Sequence, residues 1–109
     1  MNLKVKFLEK ELRTPIILAS GVSGYADELM PFLDSSSIGA LTTKTITFQP
    51  REGNPPPRIM EVPGGIINSI GLANMGIESF IKEKLSSLLN LPMRKIVSIG
   101  GEKEEVTAG

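Results

Sequence analysis

The spacing of apolar residues changes repeatedly along this chain, and each change marks an expected element. Leu3, Val5 and Phe7 alternate with Lys4 and Lys6, the period-2 pattern of a half-exposed strand. Glu9-Lys10-Glu11 is polar and predicts a turn, with Leu12-Arg13-Thr14 returning as the partner of a small hairpin. After Pro15, Ile16-Ile17-Leu18-Ala19 is apolar without alternation, as in a parallel strand buried on both faces. Ser20-Gly21-Val22-Ser23-Gly24 follows as a flexible polar loop, and Asp27 to Leu33 predicts a short helix that Pro31 curtails. Ile38 to Thr45 predicts a second buried strand. Residues 46–74 carry most of the prolines and read as one long connection, a length usually reserved for function or disorder.

Met75 to Leu89 is the clearest helix, with Ile77, Phe80, Ile81, Leu85, Leu88 and Leu89 on one stripe. Glu78, Lys82, Glu83 and Ser86 take the other face, with Glu78 and Lys82 in the favourable i, i+4 order. Leu91-Pro92 ends it. Lys95 to Ile99 is a third short apolar strand, closed by Gly100-Gly101. Glu102 to Val106 reads as the first turn of another helix, acidic where the N-terminal dipole favours negative charge. Buried strands that alternate with helices predict a parallel α/β arrangement. No repeat, low-complexity tract or linker divides the chain, so residues 1–109 are expected to lie in one domain. A (β/α)8 TIM barrel takes ~250 residues, and this order supplies about three of its eight strands behind a leading β-hairpin. An open dinucleotide-binding sheet is the alternative, but Ser20-Gly21-Val22-Ser23-Gly24 lacks the G-x-G-x-x-G spacing.

Composition narrows the chemistry. Lys and Arg number 12 and so do Asp and Glu, so no strong field selects nucleic acid or an anionic membrane. No apolar run approaches the ~20 residues of a membrane span. Met1-Asn2-Leu3-Lys4 leads into no signal-peptide core, and a cytoplasmic location is expected. Cysteine and histidine are both absent, which excludes disulfides, Cys/His metal sites and a Cys or His base within these residues. No metal is expected. Lys, Asp, Glu, Tyr, Ser and Thr remain for proton chemistry.

Barrel enzymes carry their sites on the loops after the strands. Ala19-Ser20-Gly21, Lys44-Thr45, and Ser98 with the glycines behind it meet that condition, and the loop ending in Asn68 to Asn74 can fold over the same face. A Lys at a strand end beside apolar walls either meets an anion or snorkels to solvent, and Lys44 is open to both. Asn68 offers a two-way amide, and Ser69-Ile70-Gly71-Leu72 a run of N–H groups that Gly71 leaves approachable, which suits a flat heterocycle. Asn68 can equally stabilise a turn, and Asn74 reads as the N-cap of the helix from Met75. Ser20-Gly21 and Gly24 either let backbone approach a ring or simply turn the chain. Arg51 and Arg58 flank a proline run, where each either meets an anion or pairs locally, with Glu52 or Glu61. The paired prolines stiffen a lid or a partner-binding loop.

Four segments in this order resemble the dihydroorotate dehydrogenases, the FMN enzymes of pyrimidine synthesis. They are Ile17-Leu18-Ala19-Ser20-Gly21, Thr43-Lys44-Thr45, Pro50-Arg51-Glu52-Gly53-Asn54-Pro55-Pro56-Pro57-Arg58, and Asn68-Ser69-Ile70-Gly71-Leu72-Ala73-Asn74. The resemblance runs from the hairpin to about Gly101 and is closest to the class 1, NAD-linked type B catalytic subunit. It implies a TIM barrel with FMN above the strand ends. Ala19, Ser20 and Gly21 would lie along the flavin, Lys44 would touch flavin and substrate, and Thr45 would sit beside it. Ser98 stands where similar sequences often carry an Asn that contacts FMN. Asn68 and the backbone of Ser69, Ile70, Gly71 and Leu72 would hold the orotate ring and its carboxylate.

The implied reaction oxidises dihydroorotate to orotate. A base takes the C5 proton while hydride leaves C6 for the flavin, and Lys44 stabilises the resulting negative charge. The family's base, a Cys in class 1 and a Ser in class 2, follows the fourth strand, and the barrel phosphate site lies in the last loops. Both are expected beyond Gly109, so the isolated chain is expected to bind FMN poorly and to be inactive. Implied partners are a second copy of the subunit and an iron–sulfur/FAD electron-transfer subunit. Two alternatives are a dihydropyrimidine dehydrogenase-type flavoenzyme, which uses a similar barrel, and a non-catalytic truncated fragment acting as an interaction module through uncovered strand edges.

Overall fold

The computed structural model describes residues 3–26, 31 and 34–101. The helix expected over Asp27 to Leu33, apart from Pro31, and the helical turn expected from Glu102 lie outside the described residues. In chain order the elements are β1 (Val5–Phe7), β2 (Lys10–Leu12), β3 (Ile17–Leu18), a 3-10 turn (Ser35–Ser37), β4 (Ala40–Thr42), β5 (Ile59–Val62), β6 (Gly65–Asn68), α1 (Gly76–Glu83), α2 (Leu85–Leu89) and β7 (Arg94–Ile96).

The leading hairpin forms, with Val5 opposite Leu12 and Phe7 opposite Lys10. Its turn is Leu8-Glu9 rather than Glu9-Lys10-Glu11, so Lys10 and Glu11 belong to the return strand. Both turn residues have positive φ, 48° and 64°, the geometry whose twist matches a two-residue hairpin. Period-2 alternation predicts one buried face on β1, yet Val5 and Phe7 remain 38% and 39% exposed. On β2, Leu12 is buried.

Strands β3, β4 and β7 are parallel neighbours in that order, with Ile17 opposite Ala40 and Ala40 opposite Arg94. Parallel neighbours need crossovers, and the helical pair α1–α2 supplies the one between β4 and β7. Phe80 and Leu88 from these helices pack with Tyr25, Ile38, Leu41, Ile46 and Met93 in one buried cluster. The result is the parallel α/β arrangement that the alternation predicts, as an open sheet among the described residues. No helix among them is long and apolar enough to cross a membrane.

The apolar runs are longer than the hydrogen-bonded strands they contain. Ile38 to Thr45 yields only Ala40–Thr42 as strand, because the backbone then leaves the ladder. The Lys44 N–H turns to the Gly24 carbonyl at 2.8 Å, and Ile46 rejoins the sheet opposite Ile99. At the other end of β4, Gly39 packs so tightly that a Cβ there would collide with the Thr14 carbonyl.

Residues 46–74 are more ordered than a single connection. A second antiparallel hairpin, β5–β6, places Ile59 opposite Asn68 and Val62 opposite Gly65. Its turn is Pro63-Gly64, where Pro presets φ and Gly64 takes φ 81°. Arg51 and Asn74 then exchange two backbone bonds of 2.9 Å, closing the segment on itself. The expected single helix is also divided, at Lys84 (φ −119°). Its core-facing stripe narrows to Ile77, Phe80, Leu85 and Leu88, while Ile81 and Leu89 are 54% and 61% exposed.

Asp34 precedes the 3-10 turn and accepts from the Ser36 N–H (3.0 Å), the Ser36 hydroxyl (2.6 Å) and the Ser37 hydroxyl (3.2 Å). The Ser36 hydroxyl, followed by the Ser36 and Ser37 bonds beside it, holds the carboxyl below its ordinary value of 3.8. Whatever the ionised carboxylate contributes to the turn is therefore present above the ordinary carboxylate range and lost as pH falls through the lowered folded value. An NMR titration should place the Asp34 midpoint below that of an unstructured Asp, and Ser36→Ala should move it back up; a midpoint at the ordinary value would show that these bonds do not favour the ionised form. For the core, Phe80→Ala should lower the unfolding free energy by about 3–5 kcal/mol, against no more than about 1 kcal/mol for Ile81→Ala, read from urea titrations. Equal losses would put the wrong helix face in the core.

Candidate active site

Parallel neighbours bring the C-terminal ends of β3, β4 and β7 side by side, and three hydroxyl residues meet there. Ser20 Oγ donates to the Thr43 carbonyl at 2.9 Å and lies 3.4 Å from Thr45 Oγ1. Thr45 Oγ1 is in turn 2.8 Å from Ser98 Oγ. The Ser98 N–H donates to Thr43 Oγ1 at 3.2 Å, and the Ile46 N–H donates to the Ser98 carbonyl at 2.9 Å. Thr43 is fully buried, so its side chain serves as an internal peg between β4 and β7. The structure thus joins Ser20, Thr45 and Ser98, three of the residues expected at a cofactor.

Lys44 is half-buried and stands between Thr43 and Thr45 in the chain. No carboxylate among the described residues pairs with it, and its ammonium sits 5.8 Å from the centroid of the Tyr25 ring, within cation–π range. Tyr25 is buried, stacks at 5.8 Å and 40° against Phe80, and accepts the Met75 N–H at 3.0 Å through its hydroxyl. The cation is therefore positioned over an aromatic ring that is itself anchored to the start of α1. The sequence reading does not single out Tyr25. The available signal was that the chain's one Tyr follows a strand-end glycine loop.

Ala19, Ser20 and Gly21 are exposed above β3. Gly21 has φ 85°, and a Cβ built there meets nothing within 4 Å among the described residues. Space is therefore open at this strand end. Val22, Val97 and Ile99 are exposed by 56%, 42% and 52%, with Val97 and Ile99 flanking Ser98 in the chain.

The 68–74 segment has its own internal lattice. Asn68 ends β6 opposite Ile59, and the Ser69 N–H donates to the Arg58 carbonyl at 2.7 Å. The Asn54 amide donates to the Ser69 carbonyl (3.2 Å) and hydroxyl (2.7 Å). Gly71 has φ 78°, and a Cβ on it would come within 2.7 Å of the Asn54 nitrogen. The close approach that Gly71 permits is thus made by Asn54. Ile70 accepts the Asn54 N–H through its carbonyl at 2.9 Å, and Leu72 is held at φ 56°. Arg58 is satisfied locally, donating to the Asn54 and Glu52 carbonyls at 2.7 Å each. Arg51 lines an open cleft of about 440 Å³ with Glu52, Gly53, Asn54, Gly71 and Leu72.

Asn74 ties this lattice to the exit of β4. Its Oδ1 accepts the N–H groups of Thr47 (3.1 Å) and Gly76 (2.8 Å), and its Nδ2 donates to Thr47 Oγ1 (3.0 Å) and the Leu72 carbonyl (2.7 Å). Every hydrogen-bonding capacity of this buried amide is used. The helix begins at Gly76 with Met75 at the formal cap position and no side-chain bond from it. Asn74 performs the capping from one residue further out.

A sequence-family model described as dihydroorotate dehydrogenase matches residues 2–108. The chain is 47% identical, over 91 residues, to the dihydroorotate dehydrogenase B (NAD(+)) catalytic subunit of Desulforudis audaxviator, covering 84% of this chain and 30% of that protein. It is 41% identical over 105 residues to the protein of the same name from Thermoanaerobacter sp. (strain X514), covering 96% and 35%. The chain thus spans about a third of the length of the curated relatives it matches. A crystal structure of DHODH in complex with ferulenol from Eimeria tenella superposes with a TM-score of 0.73 at 27% identity, over 94% of this chain and 30% of that one. With the family match running through the hairpin, the three parallel strands and the loop between them, the chain belongs to the dihydroorotate dehydrogenase family.

Proposed function

We propose that residues 1–109 form the N-terminal part of a single FMN-binding (β/α)8 TIM-barrel domain, about three of its eight strands, and that the complete barrel oxidises dihydroorotate to orotate in pyrimidine synthesis. The observation that carries this proposal is Lys44, a half-buried cation without a carboxylate partner among the described residues, set beside a hydroxyl row at the C-terminal ends of three parallel strands. Barrel enzymes place their chemistry at that end. The similarity to relatives named for dihydroorotate favours this substrate over a reduced pyrimidine base.

The residues at the strand ends fit the ring of FMN. The open space at Gly21 leaves room for a flat group, and Ser20, Thr45, Ser98 and Lys44 offer polar partners. In this proposal Ala19, Ser20 and Gly21 lie along the ring, with Thr45 and Ser98 beside it and Lys44 between ring and substrate. FMN, when bound, accepts the hydride from the substrate. Lys44 lowers the cost of negative charge that develops nearby, and its partial burial strengthens that effect relative to bulk water. Asn68 and the main chain of Ser69, Ile70, Gly71 and Leu72 hold the pyrimidine ring and its carboxylate, on a segment whose shape the Asn54–Ser69 bonds maintain. The general base and the loops that hold the flavin phosphate are assigned to later parts of the barrel.

The relatives' description as catalytic subunits supports a separate iron–sulfur/FAD electron-transfer subunit as partner, with a second copy of this subunit and a cytoplasmic setting completing the proposal. The 109-residue chain alone lacks these supports. It exposes Ile59, Met60, Ile66 and Ile67 by 59–64%, and β3 and β7 each have one outer edge in the three-stranded sheet. Such surfaces favour association.

In the full-length protein, Lys44→Ala should slow reduction of bound flavin by dihydroorotate by about 10²–10³-fold, with Lys44→Arg recovering part of the loss. Single-turnover bleaching of flavin absorbance measures this, and an unchanged rate removes Lys44 from the mechanism. The isolated chain should self-associate on size exclusion and form no orotate. Stoichiometric flavin retained through purification, together with orotate formation, would show that the remaining barrel is dispensable.

A further inference from the structure

Tyr25 is fixed beside Lys44 by more constraints than a core aromatic needs. The turn that presents it runs from Ser23 to Ala26, where the Ala26 N–H donates to the Ser23 carbonyl at 2.7 Å. Gly24 takes φ 57° inside this turn, and its carbonyl accepts the Lys44 N–H at 2.8 Å. The backbone of the aromatic turn is thus bonded to the backbone of the cation. Ala26 ends the turn at φ 82° while fully buried, a left-handed conformation unfavourable for a residue with a Cβ. The ring packs on Phe80 with centroids 5.8 Å apart, and its hydroxyl accepts the Met75 N–H at 3.0 Å. The long Lys44 side chain has no such fastening. Its ammonium stands over the Tyr25 ring, 5.8 Å from the centroid, and no hydrogen bond or carboxylate among the described residues holds it.

We infer that Tyr25 is a positioning residue for Lys44: the face of its ring keeps the ammonium at the strand ends, where an unanchored lysine extends into solvent. The inference rests on the role proposed for Lys44 above. A ring face carries the negative part of the aromatic quadrupole, so it attracts a cation without neutralising it. A carboxylate in the same place would also hold the ammonium, but would cancel the charge that stabilises a developing anion. Tyr25 is in turn tied to the start of α1 through Met75, one residue after the Asn74 amide that fastens the 68–72 segment. The cation and the segment proposed to hold substrate are therefore referred to the same helix start. A Tyr that served only the core would fill the space beside Phe80 whatever the charge distribution of its ring.

The test replaces Tyr25 in the full-length protein with Phe and with trifluorophenylalanine, which keeps the shape of the Phe ring and withdraws negative charge from its face. In flavin-free protein carrying isotope-labelled lysine, the Lys44 methylene protons, assigned by their loss in Lys44→Ala, should lie upfield of the ordinary lysine position through shielding by the ring. Tyr25→Leu should return them to it; should that variant not fold, the two rings decide alone. In the flavin-loaded protein, Tyr25→Phe should be reduced by dihydroorotate within about threefold of the wild-type rate. Trifluorophenylalanine at the same position should slow this step by about a further fivefold. In a Lys44→Ala background the two rings should give equal rates, because no charge remains to be held. Equal rates with Lys44 present, a difference that persists without it, or a wild-type Lys44 signal at the ordinary position overturns the positioning role and leaves Tyr25 to the core. Flavin reduction unaffected by Lys44→Ala overturns instead the role of Lys44 beneath it.

Discussion

The bonds that run from Ser20 through Thr43 and Thr45 to Ser98 hold together strand ends that the backbone ladder joins only weakly. β3 pairs with β4 over two positions, and β4 with β7 over three. Short parallel ladders contribute little by themselves, and parallel pairing is slightly less stable per residue than antiparallel. Past Thr42 the backbone joins β4 to β7 at Thr43 and Ile46, whose N–H groups donate to the Ile96 and Ser98 carbonyls. Side chains add to it: the Thr43 hydroxyl accepts the Ser98 N–H and the Ser20 hydroxyl donates to the Thr43 carbonyl. The irregularity that releases the backbone also brings Lys44 to the same place, because its N–H must find the Gly24 carbonyl instead of a neighbouring strand. The cation and the row that accompanies it thus share one structural cause.

Lys44 is also coupled to the far side of the molecule through Tyr25. One face of that ring lies within reach of the ammonium, the ring packs on Phe80 in the core of α1, and the hydroxyl receives the Met75 N–H. Asn74, immediately before, fastens the 68–72 segment to Thr47 just past the strand end. Two buried polar groups, a phenol and an amide, therefore set the relation between the strand ends, the loop and the helix. Neither is left unpaired, which is why their burial is tolerable.

The parts of this architecture that depend on long-range periodicity were legible in the sequence. Unalternating apolar runs at Ile16 to Ala19 and Ile38 to Thr45 marked parallel strands, and the stripe through Phe80 and Leu88 marked the helix. Of the two strands expected to be buried, Ala40 and Leu41 are, whereas Ile16 and Ala19 are exposed and Ile17 and Leu18 half-buried. The parts that depend on a local exception were not. Leu8 and Glu9 adopt positive φ without being glycine, so the first turn moved. The β5–β6 hairpin was hidden because Ile59-Met60 and Ile66-Ile67 are adjacent apolar pairs, not an alternation, although Pro63-Gly64 between them is a turn signal. The break at Lys84 has no glycine or proline to announce it. Gly71 showed that a close approach is required, yet spacing alone could not say that Asn54 makes it.

Hydroxyl side chains at the strand ends have a consequence that an amide would not. An Asn keeps two amide protons and a carbonyl, so it can close a structural bond and still donate outward. Ser98 has one proton, and its 2.8 Å bond to Thr45 Oγ1 forms with either hydroxyl as the donor. These bonds make the row interdependent, since a change at Ser20 or Thr45 alters the partners of Ser98 without altering Ser98 itself. Structural closure of the three strand ends and the polarity offered to a ligand are therefore two effects of the same short chain of bonds, and neither can be altered independently of the other.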